Sequence, residues 1–189
     1  MAKMLFVEKP TKIVVIAGCA RSGKSKVAQF LKKFFEQSGK KVVVSPFSKY
    51  LKMFAKDVFG SYRDNANKPR DFLQQVGVEL IQKKLGKQNF LINRQIDDIE
   101  IYSHFFDWII IPDARFEHEI DALKQNFAHV WCVKVVSNKQ NNLSTSQKNH
   151  ATESAVAQIS QSKFDFVVEN NLGINNLQQK VQSIFKQLI

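Results

Sequence analysis

Disulfide chemistry is the first thing this sequence excludes. Its 189 residues contain two cysteines, Cys19 and Cys132, too few for a disulfide framework or a four-ligand zinc site, and suited to a reducing interior. Apolar runs are short: none approaches the ~20 residues a membrane-spanning helix needs. No long apolar stretch with a small-residue cleavage site marks the N-terminus, so a cytoplasmic location without membrane partners is expected. There is no repeat, no Pro-rich linker and no break in composition that would divide the chain. Acidic side chains are scarce, 17 Asp+Glu against 28 Lys+Arg, leaving a formal net charge of +11. Nucleic acid, an anionic membrane surface and phosphorylated small ligands are the partners such a balance attracts. What the chain does have is apolar mass: 44% hydrophobic residues, including 16 Phe, which excludes a disordered chain and suffices for one domain with its own core.

Short β-branched runs alternate with longer segments of helical period. Ile13 to Ala17, Val42 to Val44, Trp108 to Ile111, Val130 to Val136 and Phe164 to Val168 read as five buried strands. Between them, apolar residues recur at helical spacing around 27–35, 51–59, 72–81, 90–105 and 120–127, and residues 174–188 form a closing amphipathic helix. Residues 61–68 and 137–150 are polar and read as loops. The expectation is an α/β fold, a five-stranded parallel sheet with helices on both faces, whose ligands sit beyond the carboxyl ends of the strands.

At the end of the first strand stands Gly18-Cys19-Ala20-Arg21-Ser22-Gly23-Lys24-Ser25, which fits G-x-x-x-x-G-K-[ST]. Such glycines let successive backbone N–H groups turn inward around a phosphate, and the following helix aims its N-terminal dipole at the same anion. The pattern places Lys24 on the β- and γ-phosphates and the Ser25 hydroxyl on Mg²⁺. It also falls between a buried strand and a helix, the context the motif needs.

The third strand ends in Pro112-Asp113-Ala114-Arg115. Asp113 reads as a Mg²⁺ ligand, direct or through water, or as the N-cap of the next helix; Arg115 would stand at the same sheet edge, able to clamp an oxyanion. No N-K-x-D element is present to read a guanine base, and no glutamate follows Asp113 as in a large ATPase. Cys19 and Cys132 read as small apolar fillers, and His118 and His150 lack partners at metal-ligand spacing.

The phosphate loop, Phe47-Ser48-Lys49-Tyr50-Leu51-Lys52, Arg70-Asp71-Phe72-Leu73-Gln74-Gln75-Val76-Gly77, Pro112-Asp113-Ala114-Arg115-Phe116-Glu117-His118-Glu119, His150-Ala151-Thr152-Glu153 and the stretch 164–173 together resemble, in the same order, the phage-type deoxynucleoside monophosphate kinases. The resemblance covers most of the chain, and its D-x-R-x-x-H-E and H-x-T-E blocks are far more specific than the phosphate loop. It implies a single adenylate-kinase-like P-loop domain with an acceptor-binding helical segment at about 47–105 and a lid at about 137–150. It further implies ATP as donor, a (deoxy)nucleoside monophosphate as acceptor and Mg²⁺. Arg21 looks like the loop arginine that reaches the transferring phosphoryl group. Lys52 and Arg70 match positions holding the acceptor phosphate, though each also reads as a solvated helix charge. Gln75 resembles an amide near the acceptor base, or an ordinary exposed one; Phe90 resembles a base-stacking aromatic, or a core residue. The loop of Asn170 and Gly173 would receive the donor adenine.

The sequence departs from the family pattern in its lid, which holds Lys139 and Lys148 but no arginine. That shifts the catalytic charge onto Arg21, Lys24 and Arg115. An ionised acceptor phosphate is already nucleophilic, and no general base is expected. Two rival readings share parts of this pattern: a dephospho-coenzyme A or phosphomevalonate kinase, and a nucleic-acid-binding ATPase. Against the second, the lysines are dispersed and no basic run is interleaved with aromatics. The oligomeric state stays open, a homodimer among the options.

Overall fold

β-branched runs that are apolar at every position belong in the interior of a parallel sheet covered on both faces, and the structure puts them there. A computed structural model describes residues 10–60, 70–138 and 151–189. Strands β1 (Lys12–Ala17), β2 (Val42–Val44), β3 (Trp108–Ala114), β4 (His129–Val136) and β5 (Phe166–Glu169) form one sheet in the order β2-β3-β1-β4-β5, every neighbouring pair parallel. β1 is therefore central, and the chain leaving it emerges between β3 and β4.

Alternation along the strands divides the core in two. Val14, Ile16, Ile110, Val133, Val135 and Val168 face helices α1 (Lys24–Gln37) and α7 (Ile174–Leu188). Ile13, Val15, Ala17, Ile109, Ile111 and Cys132 face α4 (Phe90–Ser103) and α5 (Glu117–Asn126). Burying each such Ile, Leu or Val side chain contributes about 1.5–3 kcal/mol, so the fold has no need of a crosslink. Cys132 is one of these fillers; burial pushes its thiol up to about 12. Much of the phenylalanine lies under the first face, where Phe35 stacks on Trp108 at 4.2 Å and meets the edge of Phe185 at 5.3 Å. Among the described residues, no helix is long and apolar enough to cross a membrane.

Three elements differ from the sequence expectation. The spacing of Phe72, Leu73, Val76, Leu80 and Ile81 predicts one α-helix, but α3 (Arg70–Gln74) passes into a π-helix, Gln75–Lys84. Its i→i+5 bonds widen the turn, and Gly77 and Ile81 become the buried positions. Gly77 admits Leu51 there: a Cβ would stand 3.1 Å from Leu51 Cδ1. β3 continues through Asp113 to Ala114, so α5 begins at Glu117 and not near Ala114. A helix that the apolar spacing does not mark, α6 (Ala151–Gln158), precedes a 3₁₀ turn at Gln161–Lys163. The expected loop at 61–68, the lid from 139 to 150 and its Lys139, Lys148 and His150 lie outside the described residues.

Truncating Phe35 removes a fully buried ring from the aromatic stack. Phe35→Ala is expected to lower unfolding free energy by about 3–5 kcal/mol, read by urea denaturation.

Candidate active site

A loop that wraps an anion with backbone N–H groups must enter conformations that side chains disfavour. Gly18 has φ +153°, and a Cβ on it would stand 2.4 Å from the Val135 carbonyl oxygen of β4. Arg21 adopts a left-handed φ of +63°, alone among the described non-glycine residues. Gly23, φ +106°, leaves room for Asn170, whose Nδ2 would lie 2.4 Å from a Cβ. The Ser22 N–H closes a turn on the Cys19 carbonyl at 3.2 Å. α1 then starts at Lys24 with no side-chain cap and no acid in its first turn. Its positive end thus faces the loop without a built-in anion.

Lys24 is buried, and its Nζ donates to the carbonyls of Gly18 (2.5 Å) and Cys19 (2.7 Å). Ser25 is exposed in the first turn of α1. Ser22 is wholly buried, and its Oγ has no hydrogen-bond partner among the described residues.

The β1–β3 register pairs Ala17 with Ala114, so Gly18 and Arg115 leave the sheet side by side. Asp113 accepts three hydrogen bonds, from Phe47 N (2.8 Å), Ser48 N (3.1 Å) and Ser48 Oγ (2.6 Å). Ser48 is the N-cap of α2 (Lys49–Phe59). The reading of Asp113 as the cap of the helix that follows it is therefore corrected: its carboxylate serves the start of α2, 65 residues earlier in the chain. Past it, Arg115 N and Phe116 N both donate to Glu119 Oε2, at 2.7 and 3.0 Å. Glu119 is buried, and burial pushes its carboxyl up to about 7 against the pull of those two bonds.

Asn170 also belongs to this end of the sheet. Its backbone N–H donates to Val136 O at 2.8 Å, its carbonyl accepts from Ser137 Oγ at 3.1 Å, and its Nδ2 donates to Ser22 O at 2.9 Å. Gly173, φ +90°, is the N-cap of α7 with open space about it.

The residues expected around the acceptor are more spread. Lys52 is half-buried on α2, and Gln75 is exposed at the first position of the π-helix. Arg70 opens α3, and its side chain lies outside the described residues. Phe90, the first residue of α4, stacks on Phe54 at 6.4 Å and lies beneath the Arg94 guanidinium at 5.7 Å. Sequence reasoning missed the polar joint between α2 and α4. There Asp98, buried, accepts from Lys49 Nζ (2.8 Å) and Tyr50 OH (3.0 Å), and Lys49 also reaches Tyr102 OH (3.0 Å). Burial alone would lower the Lys49 pKa, but its bonds to Asp98 and Tyr102 hold the ammonium above the ordinary lysine range. Burial and the Asp98 bond push the Tyr50 hydroxyl up as well. The readable signal was the Arg94, Asp98, Tyr102 spacing, which stacks three polar groups on successive turns of one helix face. Among the described residues, no three His, Cys, Asp or Glu side chains are grouped to hold a metal.

Residues 40–181 match the family model of the deoxynucleotide monophosphate kinases. The chain belongs to that family. It is a nucleoside monophosphate kinase, and phosphoryl transfer is its reaction. A deoxynucleotide monophosphate kinase of Enterobacteria phage T4 is 27% identical over 183 residues, 94% of this kinase and 69% of the phage protein. The fold is shared more widely. An APS kinase of Mycobacterium tuberculosis, the CysC Cys556Ala mutant, superposes with a TM-score of 0.56 at 13% identity, covering 94% of this chain and 98% of that one. The protein APE1195 does so at 0.60 and 10% identity, covering 97% of each.

Glu119 makes a pH-dependent contribution whose sign follows from its burial. Its folded pKa lies above its ordinary value of 4.5, so the folded state binds the proton more tightly. Its contribution is complete below the unfolded pKa and falls as pH rises through 7, by about 3 kcal/mol at most. Urea unfolding at pH 5 and pH 8 should show a larger loss for wild type than for Glu119→Gln.

Proposed function

We propose that this kinase transfers the γ-phosphoryl group of ATP to the 5′-phosphate of a deoxynucleoside monophosphate, giving ADP and the diphosphate. The observation that carries the reading is the Ala17–Ala114 register. It sets an anion-shaped loop and the Asp113–Arg115 edge next to each other, where two polyanions have to meet. In the transfer an acceptor phosphate oxygen bonds to Pγ, the bond from Pγ to the bridging oxygen breaks, and its electron pair leaves with ADP. Aligning the two phosphates and neutralising their charge supplies most of the acceleration.

In this reading the backbone of Gly18, Cys19, Ala20, Arg21, Ser22, Gly23, Lys24 and Ser25 cradles the donor phosphates. Lys24 exchanges its two loop carbonyls for phosphate oxygens, so its buried charge remains solvated throughout. Arg21 and Arg115 flank the moving phosphoryl group, in place of lid arginines. Lys52 and Arg70 hold the acceptor phosphate, Gln75 and Phe90 lie toward its base, and the Asn170–Gly173 loop toward the donor adenine.

Mg²⁺ carried on the triphosphate needs few protein ligands. The exposed Ser25 hydroxyl fits one such place. Asp113, with three hydrogen bonds already accepted, fits through a water. The ion, when bound, neutralises triphosphate charge; everything else rests on the chain's own residues.

A coupled ADP-release assay with Mg·ATP tests this across ribo- and deoxynucleoside monophosphates, dephospho-coenzyme A and phosphomevalonate. Turnover is expected with deoxynucleoside monophosphates; equal background rates with every acceptor would sink the reading. Lys24→Ala should lower kcat by about 10²-fold or more. Arg115→Ala should cost about tenfold or more, and wild-type activity in that variant would remove Arg115 from the site.

A further inference from the structure

The contact between Asn170 and the phosphate loop has a consequence for how the loop binds. The Asn170 carboxamide donates to Ser22 O at 2.9 Å. A trans peptide is planar, with its C=O and N–H pointing in opposite directions. Anchoring the Ser22 carbonyl on the Asn170 side therefore aims the Gly23 N–H away from it, into the loop's concavity. That N–H immediately precedes the uncapped start of α1. Gly23, with φ +106° and no side chain, leaves this peptide free to turn either way in an isolated loop. Something outside the loop has to choose.

We propose that Asn170 is a positioning residue for donor binding: it locks the Ser22–Gly23 peptide so that the Gly23 N–H is presented to the donor's phosphates before nucleotide arrives. The assignment differs from a role toward adenine, since Asn170 acts through a backbone amide of the phosphate loop. It rests on the reading of that loop as the ATP site.

The device is held from both sides. Asn170 is pinned through its own backbone to Val136 and Ser137 at the end of β4, so the carboxamide starts from a fixed point. Gly23 is the position where a side chain would displace it, with a Cβ 2.4 Å from Nδ2. The glycine is thus needed for two reasons, its backbone angle and the close approach of Asn170. A carboxamide is required in place of a carboxylate because Ser22 O accepts and Asp has no donor to offer it.

Calorimetry with Mg·ADP as the probe, on the full chain, separates the possibilities. Wild type should bind; no binding by wild type would overturn the ATP-site reading itself. Asn170→Leu, nearly isosteric and uncharged, should weaken Mg·ADP binding by about three- to tenfold, the worth of one lost hydrogen bond. Asn170→Asp should weaken it further, because a carboxylate then faces both a carbonyl and the donor phosphates. In steady-state assays KM for ATP should rise with Kd while KM for the acceptor stays within about twofold. Wild-type Mg·ADP affinity in Asn170→Leu, or equal rises in both KM values, overturns the proposal. A readout on the unmutated protein covers the case in which the variants do not fold. The Gly23 amide proton should move downfield when Mg·ADP is added, and a Gly23 resonance that stays in place overturns the proposal equally.

Discussion

Turning several backbone N–H groups toward one point is unfavourable for a chain on its own, because their dipoles repel and the angles required are poorly populated. Such a loop persists only where the surrounding structure over-determines it. Here the loop is braced from behind by the ends of β4 and β5. The Val135 carbonyl fills the space where Gly18 would carry a side chain, and Asn170 does the same at Gly23. A left-handed Arg21 costs about 1–2 kcal/mol, which is small beside the burial of β1 on both faces. The sheet order explains the brace. With β1 between β3 and β4, and β5 next to β4, the exit from β1 is walled on one side by the elements that hold the loop and on the other by Asp113 and Arg115.

Acid is scarce in the composition yet well represented inside the molecule: among the described residues, the buried charged side chains are Asp98, Glu119 and Lys24. Asp98 and Glu119 are buried carboxylates, and Asp113 is partly so; both oxygens of Asp98 and Asp113, and Oε2 of Glu119, accept hydrogen bonds that join separate elements. Asp113 joins β3 to the start of α2, Asp98 joins α2 to α4, and Glu119 joins the end of β3 to α5. Removing a carboxylate from water is expensive unless its lone pairs are satisfied; Asp98 and Asp113 meet that condition, whereas at Glu119 burial outweighs the two bonds to Oε2 and raises the carboxyl pKa. These three carboxylates act as joints between elements.

That division also explains what was legible in the sequence. Runs such as Ile109-Ile110-Ile111 and the phosphate loop declare themselves because strand burial and anion binding impose local patterns, readable within a few residues. The partners of Asp113 are 65 and 66 residues away, and those of Asp98 48 and 49. No periodicity encodes a contact at that separation. Asp113 was found as a chemical group, but its structural role was given to the wrong helix. Asn170 was placed at the correct end of the sheet, yet its bond to Ser22 spans 148 residues. The π-helix was missed for a different reason: apolar positions four and five apart satisfy an α-helix and a wider turn nearly alike.

The family match begins at residue 40, beyond the phosphate loop and α1, and runs to 181. Proteins that share this fold at 10–13% identity are not drawn into one family by a loop that many nucleotide-binding proteins possess. What the matched region does contain is α2, the π-helix, α4, and the Asp113–Glu119 edge. Donor binding needs only a generic cradle, since a triphosphate presents the same oxygens in every such enzyme. The placement of α2 and α4, by contrast, is set by the joints at Asp113 and Asp98. Asp113 stands between the phosphate loop and these helices. Its strand runs beside the one that launches the phosphate loop, and its carboxylate holds the first turn of α2. The start of α2 is thereby tied to the strand end beside the phosphate loop.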